Sequence, residues 1–207
     1  MAANINVAEG NGSPVTWTDI TSARFCTADV VNPGLSYPIP IPSSGVHYSF
    51  WKNHRLEFGG TFTQIDNIRW YCDGSIDWTL GTNGKVIVGT RDSGDNGCPD
   101  ANYQVAAGVT GSSGYAIDDP TSGHAYYKGQ TTPYADIAGY TVGSPLLVDS
   151  SAYTAEGNSK HVVLQCIVDH DASHGTQASE TFTWMWDEIA LLLGFGLELF
   201  KLFSSII

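Results

Sequence analysis

The sequence predicts an all-β fold, an antiparallel β-sandwich of jelly-roll type with a hydrophobic C-terminal helix or strand appended. Apolar residues alternate with polar ones over short stretches, which is the period of half-buried strands. The 207 residues include 23 glycines and 9 prolines, and such frequent turn formers are typical of antiparallel sheets. No convincing amphipathic helix precedes residue 188 and no repeat of fixed period occurs, so solenoids and propellers are excluded.

Three parts are expected along the chain. Residues 1–14, rich in Asn, Gly and Ser, predict a flexible N-terminal arm that is either disordered or ordered by a neighbouring subunit. Residues 15–188 are the predicted β-sandwich domain, and residues 189–207 a hydrophobic assembly segment. The chain does not open with a basic stretch followed by an apolar one, so no secretory signal is expected.

Core strands are predicted where apolar residues recur with a period of two. The three clearest segments contain Ile68, Trp70 and Cys72; Val162, Leu164, Cys166 and Val168; and Phe182, Trp184 and Trp186. Weaker strands are expected at residues 17–20, 24–30, 46–58, 103–109 and 134–142. The alternating prolines at 38, 40 and 42 predict an edge or polyproline-like segment, because proline cannot donate a hydrogen bond to a ladder.

A β-hairpin is the clearest local prediction. Apolar residues alternate over 76–80, and an apolar run resumes at 85–88 after Asn83-Gly84. Since Asn-Gly supplies the positive φ of a tight turn, residues 76–80 are expected to pair with residues 85–88.

Charge excludes one class of partner. Nine Lys and Arg face 21 Asp and Glu, a net charge of −12, and the basic residues are scattered along the chain. Nucleic-acid binding needs clustered cations against the phosphate backbone, so it is not expected. Only Glu198 and Lys201 of the charged residues lie in the C-terminal segment, so the whole net charge belongs to residues 1–188.

The C-terminal segment is unlike the rest of the chain, since 13 of its 19 residues are apolar. As a helix it would be about 28 Å long and could pack against copies of itself. That length also fits a membrane anchor, but the flanking cations typical of membrane spans are absent from the sequence, which disfavours this alternative. As a strand it could complete a neighbour's sheet. A terminal helix packed on its own domain is the other alternative, but so wide an apolar face favours an intermolecular contact. The expected oligomer interface consists of Leu192, Leu193, Phe195, Leu197, Leu199, Phe200, Leu202, Phe203 and Ile206.

One loop is a candidate calcium site. It contains Asp92, Asp95, Asn96 and Asp100, and hard cations bind oxygen ligands of this kind. The spacing is not that of an EF-hand, whose twelfth position would be Tyr103 here. The same residue types also favour a solvated turn for backbone reasons alone.

A second titratable group flanks the strand predicted over 162–168. It comprises His161, Asp169, His170, Asp171 and His174, and histidines with carboxylates could form a metal or acid–base site. Its composition nevertheless favours a solvated turn. The sequence contains no nucleophile elbow, zinc-protease helix, P-loop or dinucleotide-binding loop, so we expect no enzyme, no catalytic residue and no cofactor beyond the candidate calcium ion.

Cysteines and aromatic residues are expected mainly in the core. Cys26, Cys72 and Cys166 fall in predicted strands, where unpaired thiols are usually buried, although one disulfide between the sheets stays open. Trp70, Trp184 and Trp186 should point inward. An exposed glycan-binding patch would have to come from the remaining aromatic residues, of which the main candidates are Trp17, Trp51, Tyr126 and Tyr127.

Four segments resemble, in style, surface and virion structural proteins of prokaryotes and archaeal viruses. They span residues 24–29, 37–42, 68–74 and 180–188. The resemblance covers residues 15–188 and implies no functional residue. Since it ends near Glu188, the apolar segment beyond is an addition to the pattern.

These observations predict a non-enzymatic structural protein of a virion or an extracellular surface. We expect it to assemble with copies of itself, through its C-terminal segment, into a symmetric particle, shell, fibre or filament. A carbohydrate-binding β-sandwich module and a tail-anchored membrane protein are the alternatives, supported respectively by the aromatic residues and by the length of the apolar segment.

Overall fold

The computed structural model describes residues 3–90, 103, 105–106, 114–128, 134–189 and 202–206. These residues form strands and loops, with one 3-10 turn at Ile137–Gly139. No helix among them has the length and apolar character needed to cross a membrane.

Eleven strands follow one another along the described residues. They are β1 (Ala3–Asn11), β2 (Thr16–Ile20), β3 (Val46–Tyr48), β4 (Lys52–Gly60), β5 (Gln64–Tyr71), β6 (Lys85–Gly89), β7 (Tyr134–Asp136), β8 (Leu146–Asp149), β9 (Gly157–Asp169), β10 (Thr183–Ile189) and β11 (Leu202–Ile206).

The strands form two sheets in which every pairing is antiparallel. The large sheet has the strand order β2-β1-β4-β9-β6-β7, with β3 also paired to β9, and the small sheet has the order β11-β10-β5-β8. Apolar side chains from both sheets share one core. The predicted all-β, antiparallel sandwich is therefore confirmed.

Side chains at alternate strand positions build the core between the sheets. Leu56, Val162 and Leu164 of the large sheet share a cluster with Trp70 and Trp186 of the small sheet, and each is at most 2% exposed. Burying one such side chain contributes about 1.5–3 kcal/mol. We call the side of the large sheet that faces this core its inner face.

The opposite side of the large sheet, its outer face, is covered as well. The Gln165 side chain accepts a hydrogen bond from the Ile117 backbone N–H at 2.9 Å and donates one to the Ser49 carbonyl at 2.9 Å. Ile117 and Tyr127 belong to a second apolar cluster that includes Val163 of β9. Part of segment 114–128 therefore packs over β9, and the centre of the large sheet is buried on both faces.

The N-terminal residues differ from the prediction of a flexible arm over residues 1–14. Ala3–Asn11 is strand β1, paired with β2 on one side and β4 on the other. Val7 packs against the core, and the Ala3 backbone N–H donates to Glu188 Oε1 of β10 at 2.8 Å. Pairing on both edges and burial of one face outweigh the disorder that an Asn- and Gly-rich composition favours.

The predicted hairpin is wrong. β6 pairs with β9 and β7, while residues 76–80 run beside the loop before β10. The Trp78 indole N–H donates to the Ala178 carbonyl at 2.5 Å, and the Asp77 N–H donates to Glu180 Oε1 at 2.6 Å. Pairing with the buried strand β9 has therefore prevailed over the local Asn-Gly signal.

The turn that joins these two segments also differs from the expected type. The Gly84 N–H donates to the Gly81 carbonyl at 3.0 Å, and the positive φ, +88°, belongs to Gly81. A Cβ atom on Gly81 would lie 2.3 Å from Asp171 Oδ1, so this close approach requires glycine.

The other strand predictions are met unevenly. The three predicted core strands are β5, β9 and β10, and residues 17–20 lie in β2. Residues 46–58 divide into β3 and β4, and residues 134–142 contain β7 and the 3-10 turn. Residues 24–30 and the prolines at 38–42 form no strand. Most of the segment 103–109 lies outside the described residues.

The cysteine prediction is met for the three thiols that the structure describes. Cys26, Cys72 and Cys166 are buried and unpaired, so no disulfide joins them. Cys166 lies in β9, whereas Cys26 and Cys72 lie outside the strands.

Replacement of a leucine by alanine should show where the core lies. Leu56 is fully buried, so Leu56→Ala should lower the free energy of unfolding by about 2–5 kcal/mol through lost burial and the cavity left behind. Leu35 is 76% exposed, so Leu35→Ala should change it by less than about 0.5 kcal/mol. Urea unfolding followed by tryptophan fluorescence measures both. Equal losses in the two variants would contradict this core.

Candidate functional site

Strand β11 is the described part of the hydrophobic C-terminal segment. It pairs antiparallel with β10 of the same chain, with Trp186 opposite Ser204 and Glu188 opposite Leu202. The strand alternative for the segment therefore applies to these residues. Of the predicted interface residues, Leu202, Phe203 and Ile206 lie in β11, and Leu192, Leu193, Phe195, Leu197, Leu199 and Phe200 lie outside the described residues.

β11 forms one end of the small sheet. Its first edge pairs with β10, and no described strand pairs with its second edge. An open edge presents a row of backbone N–H and C=O groups that can pair with a strand of another chain. The strands β2, β7 and β8 also end a sheet, but β11 is the end strand that belongs to the apolar segment.

The candidate calcium ligands Asp92, Asp95, Asn96 and Asp100 lie outside the described residues. The prediction of a cation site there stays a prediction.

The second predicted metal group is only partly brought together. Ligand atoms of Asp169, His170 and Asp171 lie within 4.8 Å of one another, whereas His161 is buried in the middle of β9. The carboxylates already accept protein hydrogen bonds. Asp169 Oδ2 accepts from the Asn83 N–H at 2.9 Å and its side-chain amide at 2.6 Å, and Asp171 Oδ1 accepts from the Thr82 N–H at 2.8 Å.

This group therefore fixes the turn before β6. His170 Nδ1 lies 2.7 Å from Asp169 Oδ1. The hydrogen bond from His170, followed by those from Asn83, lowers the pKa of Asp169, and the same bond with Asp169 raises the pKa of His170. Each partner favours the charged form of the other.

The four aromatic residues expected in a glycan-binding patch do not form an exposed platform. Trp51 is 2% and Tyr127 1% exposed, while Trp17 and Tyr126 are half-buried. Trp51 and Tyr127 both pack against His124, with ring centroids 5.7 and 5.0 Å away. Core filling, rather than ligand binding, accounts for these two.

His124 lies fully buried among these rings and is held neutral. Burial, and to a lesser extent the charge of His161, lowers the pKa of His124 to about 3. Its Nδ1 accepts a hydrogen bond from the Tyr126 backbone N–H at 3.2 Å. The His124 ring therefore stabilises the backbone at Tyr126 by accepting a hydrogen bond. With a pKa this low, it does not exchange protons near neutral pH.

Polar residues of β4 are buried on the outer face of the large sheet. The Arg55 guanidinium stacks 3.9 Å from the Trp17 ring centre and donates to Glu57 Oε1. Asn53 is 1% exposed, and within the described part of the chain neither its side-chain oxygen nor its nitrogen has a hydrogen-bond partner. Leaving such a group unpaired costs about 1–3 kcal/mol.

The inner face carries a second polar group, which sequence reasoning missed. This inner polar cluster consists of Glu9, Asn11, Asp29, Lys52 and His54. Glu9 Oε1 accepts hydrogen bonds from Lys52 Nζ at 2.7 Å and Asn11 Nδ2 at 3.1 Å, and Glu9 Oε2 lies 3.3 Å from His54 Nε2. Asn11 Nδ2 also donates to Asp29 Oδ1 at 3.0 Å.

Opposite charge keeps the buried Glu9 ionised. Burial is the largest influence and would raise the pKa of Glu9, but the hydrogen bond from His54 and the charges of His54 and Lys52 together leave it below the ordinary value. The sequence signal was the alternation of Glu9 and Asn11 with glycines. That pattern resembles a solvated terminus unless the pairing of β1 with β4 is known.

No family model, curated protein or solved structure matches this chain.

Removal of the His170 imidazole should change how stability depends on pH. Because the pKa of His170 is raised in the folded protein, its contribution to the free energy of unfolding is complete below pH 6.5. This contribution is lost as the pH rises through the folded pKa. Because the pKa of Asp169 is lowered in the folded protein, its contribution to the free energy of unfolding is present above pH 3.8. This contribution is lost as the pH falls through the folded pKa. The stability difference between wild type and His170→Gln should therefore be greatest between pH 3.8 and 6.5.

Urea unfolding across this range measures the difference. His174→Gln, a change in the same loop, is the matched control and should leave the pH profile as in the wild type. A His170→Gln profile parallel to that of the wild type would contradict the ion pair.

Proposed function

We propose that this chain is a non-enzymatic structural protein that assembles with copies of itself through residues 189–207. The product is a particle, shell, fibre or filament of a virion or cell surface. The observation that carries the proposal is the placement of β11, the end of the apolar segment, at the open edge of the small sheet.

The connection before β11 supports exchange between copies. Ile189 ends β10 and Leu202 begins β11, so twelve residues separate the two strands. A neighbouring chain can supply the same strand to β10 with the same antiparallel register, because the pairing depends on backbone groups common to both copies. Strand exchange of this kind creates assemblies without new contacts within the body.

Charge determines when the bodies can approach one another. The net charge of −12 lies in residues 1–188, whereas Glu198 and Lys201 cancel within the apolar segment. Like-charged bodies repel in solution, and salt screens this repulsion over about 8–10 Å. Assembly through the C-terminal segment should therefore strengthen as salt is added.

The polar outer side of the small sheet favours its edge over its face as the contact. Arg69 and Asp187 form an ion pair there, with 3.1 Å between Arg69 Nη2 and Asp187 Oδ1. Asn67 Nδ2 also donates to Asp187 Oδ2 at 2.9 Å. Covering these groups would cost their hydration, whereas pairing at an edge satisfies backbone groups.

Truncation after Ile189 tests the proposal. The body should remain folded, because residues 3–189 contain both apolar clusters of the described structure, but it should no longer assemble. Light scattering after size-exclusion chromatography and negative-stain electron microscopy measure assembly, and near-ultraviolet circular dichroism measures the fold. An unchanged assembly state would contradict the role of the segment, and salt-resistant binding of the full chain to liposomes would favour a membrane anchor instead.

Two neighbouring proline substitutions provide a finer test. Successive N–H groups of a strand point to opposite edges, so one of Ser204→Pro and Ser205→Pro removes a donor towards β10 and the other a donor at the open edge. Both should reduce assembly if β11 pairs along both edges. Alanine at the same positions is the control and should leave assembly intact.

A further inference from the structure

The inner polar cluster brings an amine, a carboxamide and a carboxylate together at one oxygen atom. Lys52 Nζ and Asn11 Nδ2 both donate to Glu9 Oε1, at 2.7 and 3.1 Å. An amine can replace the nitrogen of an amide when a shared group moves a proton from one nitrogen to the other. The three side chains form such an arrangement.

The sheet register places the reacting residues next to each other. Gly10 of β1 lies opposite Asn53 of β4. Asn11 follows Gly10 in β1 and Lys52 precedes Asn53 in β4, so the two residues lie next to each other on neighbouring antiparallel strands. Side chains opposite or diagonal to each other in an antiparallel pair are in reach. Both side chains contact Glu9, which fixes them on the inner face of the large sheet.

The reacting groups are excluded from water and in direct contact. Glu9 is 0% and Lys52 2% exposed, and Lys52 Nζ has a second partner in the Val30 carbonyl at 2.8 Å. A proton can pass directly between Lys52 Nζ and Glu9 Oε1 across 2.7 Å.

Both N–H groups of the Asn11 amide donate hydrogen bonds within the cluster. Asn11 Nδ2 donates to Glu9 and Asp29, whereas Asn11 Oδ1 is buried and accepts no hydrogen bond from the residues that the structure describes. The leaving nitrogen therefore already lies on the carboxylate that would protonate it.

We propose that Lys52 and Asn11 form an isopeptide bond within the chain, with Glu9 as the proton carrier. Glu9 takes a proton from the Lys52 ammonium, and the neutral Nζ attacks Asn11 Cγ. Glu9 gives this proton to Nδ2 as the Cγ–Nδ2 bond breaks and ammonia departs. Glu9 then takes the second proton from Nζ and passes it to the ammonia, which leaves as ammonium. One amide replaces another, so the step needs no oxidant, reductant or cofactor.

The link would join β1 to β4, which are already paired.

A second reaction of Asn11 also releases ammonia, because the Gly12 nitrogen can attack Cγ to form a succinimide. In the structure the Gly12 N–H donates to Asp29 Oδ2 at 2.8 Å, which holds that nitrogen in another contact. The two reactions differ in their need for Lys52.

Intact-mass spectrometry of the full chain tests the proposal. Isopeptide formation should lower the mass by about 17 Da, the mass of the ammonia released. Digestion should yield a branched peptide, identified by tandem mass spectrometry, in which Lys52 is joined to Asn11. A folded wild-type chain of unreduced mass would overturn the proposal.

Four variants separate the alternatives. Lys52→Arg keeps a cation beside Glu9 but removes the nucleophile, and Glu9→Gln removes the proton carrier, so both should keep the unreduced mass. Asn11→Ala should do the same. Lys160, whose Nζ lies 3.3 Å from the buried Asp149 in a second lysine–carboxylate pair, provides the control, and Lys160→Arg should retain the loss.

The Lys52→Arg result is decisive because this variant keeps the charge of the cluster and should fold, which circular dichroism checks. A loss of about 17 Da that persists in Lys52→Arg, without a branched peptide in the wild type, would identify a succinimide and overturn the isopeptide. Assembly does not enter this measurement, so its outcome is independent of the proposed function.

Discussion

The burial of strand β4 on both faces is the constraint on which the rest of the structure depends. Its residues Lys52, Asn53, His54 and Arg55 are at most 7% exposed, although all four are polar. Lys52 and His54 need an anion on the inner face, which β1 supplies as Glu9. Arg55 needs cover on the outer face, which β2 supplies as Trp17. The strand order β2-β1-β4 follows from these needs.

The buried charged residues of β4 fix how the strands pair more than they raise the free energy of unfolding. Moving paired charges out of water roughly offsets their attraction, whereas removing one partner leaves a costly buried charge. A shift of β1 by one residue against β4 would turn Glu9 away from Lys52 and leave both unpaired. The register of the large sheet is therefore set by charge at one end and by apolar packing around Leu56 at the other.

This division explains what the sequence could predict. Strands β5, β9 and β10 alternate apolar and polar residues because one face meets the core, and that period is visible without a structure. Lys52 to Arg55 carry no such period, and β1 begins in a segment typical of a frayed end, so their burial depends on partners far along the chain. The hairpin prediction failed for the same reason, since pairing with β9 decides the place of β6. The Asp169–His170 group could be found from composition, but its use in fixing a turn could not.

The contact between Ala3 and Glu188 has a consequence for handling the protein. The start of β1 lies beside the end of β10, and Glu188 is also paired with Leu202. The start of β1 and the start of β11 therefore lie at one corner of the small sheet. A fluorescent protein or affinity tag fused at the amino terminus would crowd the start of β11, whereas one inserted in the exposed loop near His174 would leave that corner clear.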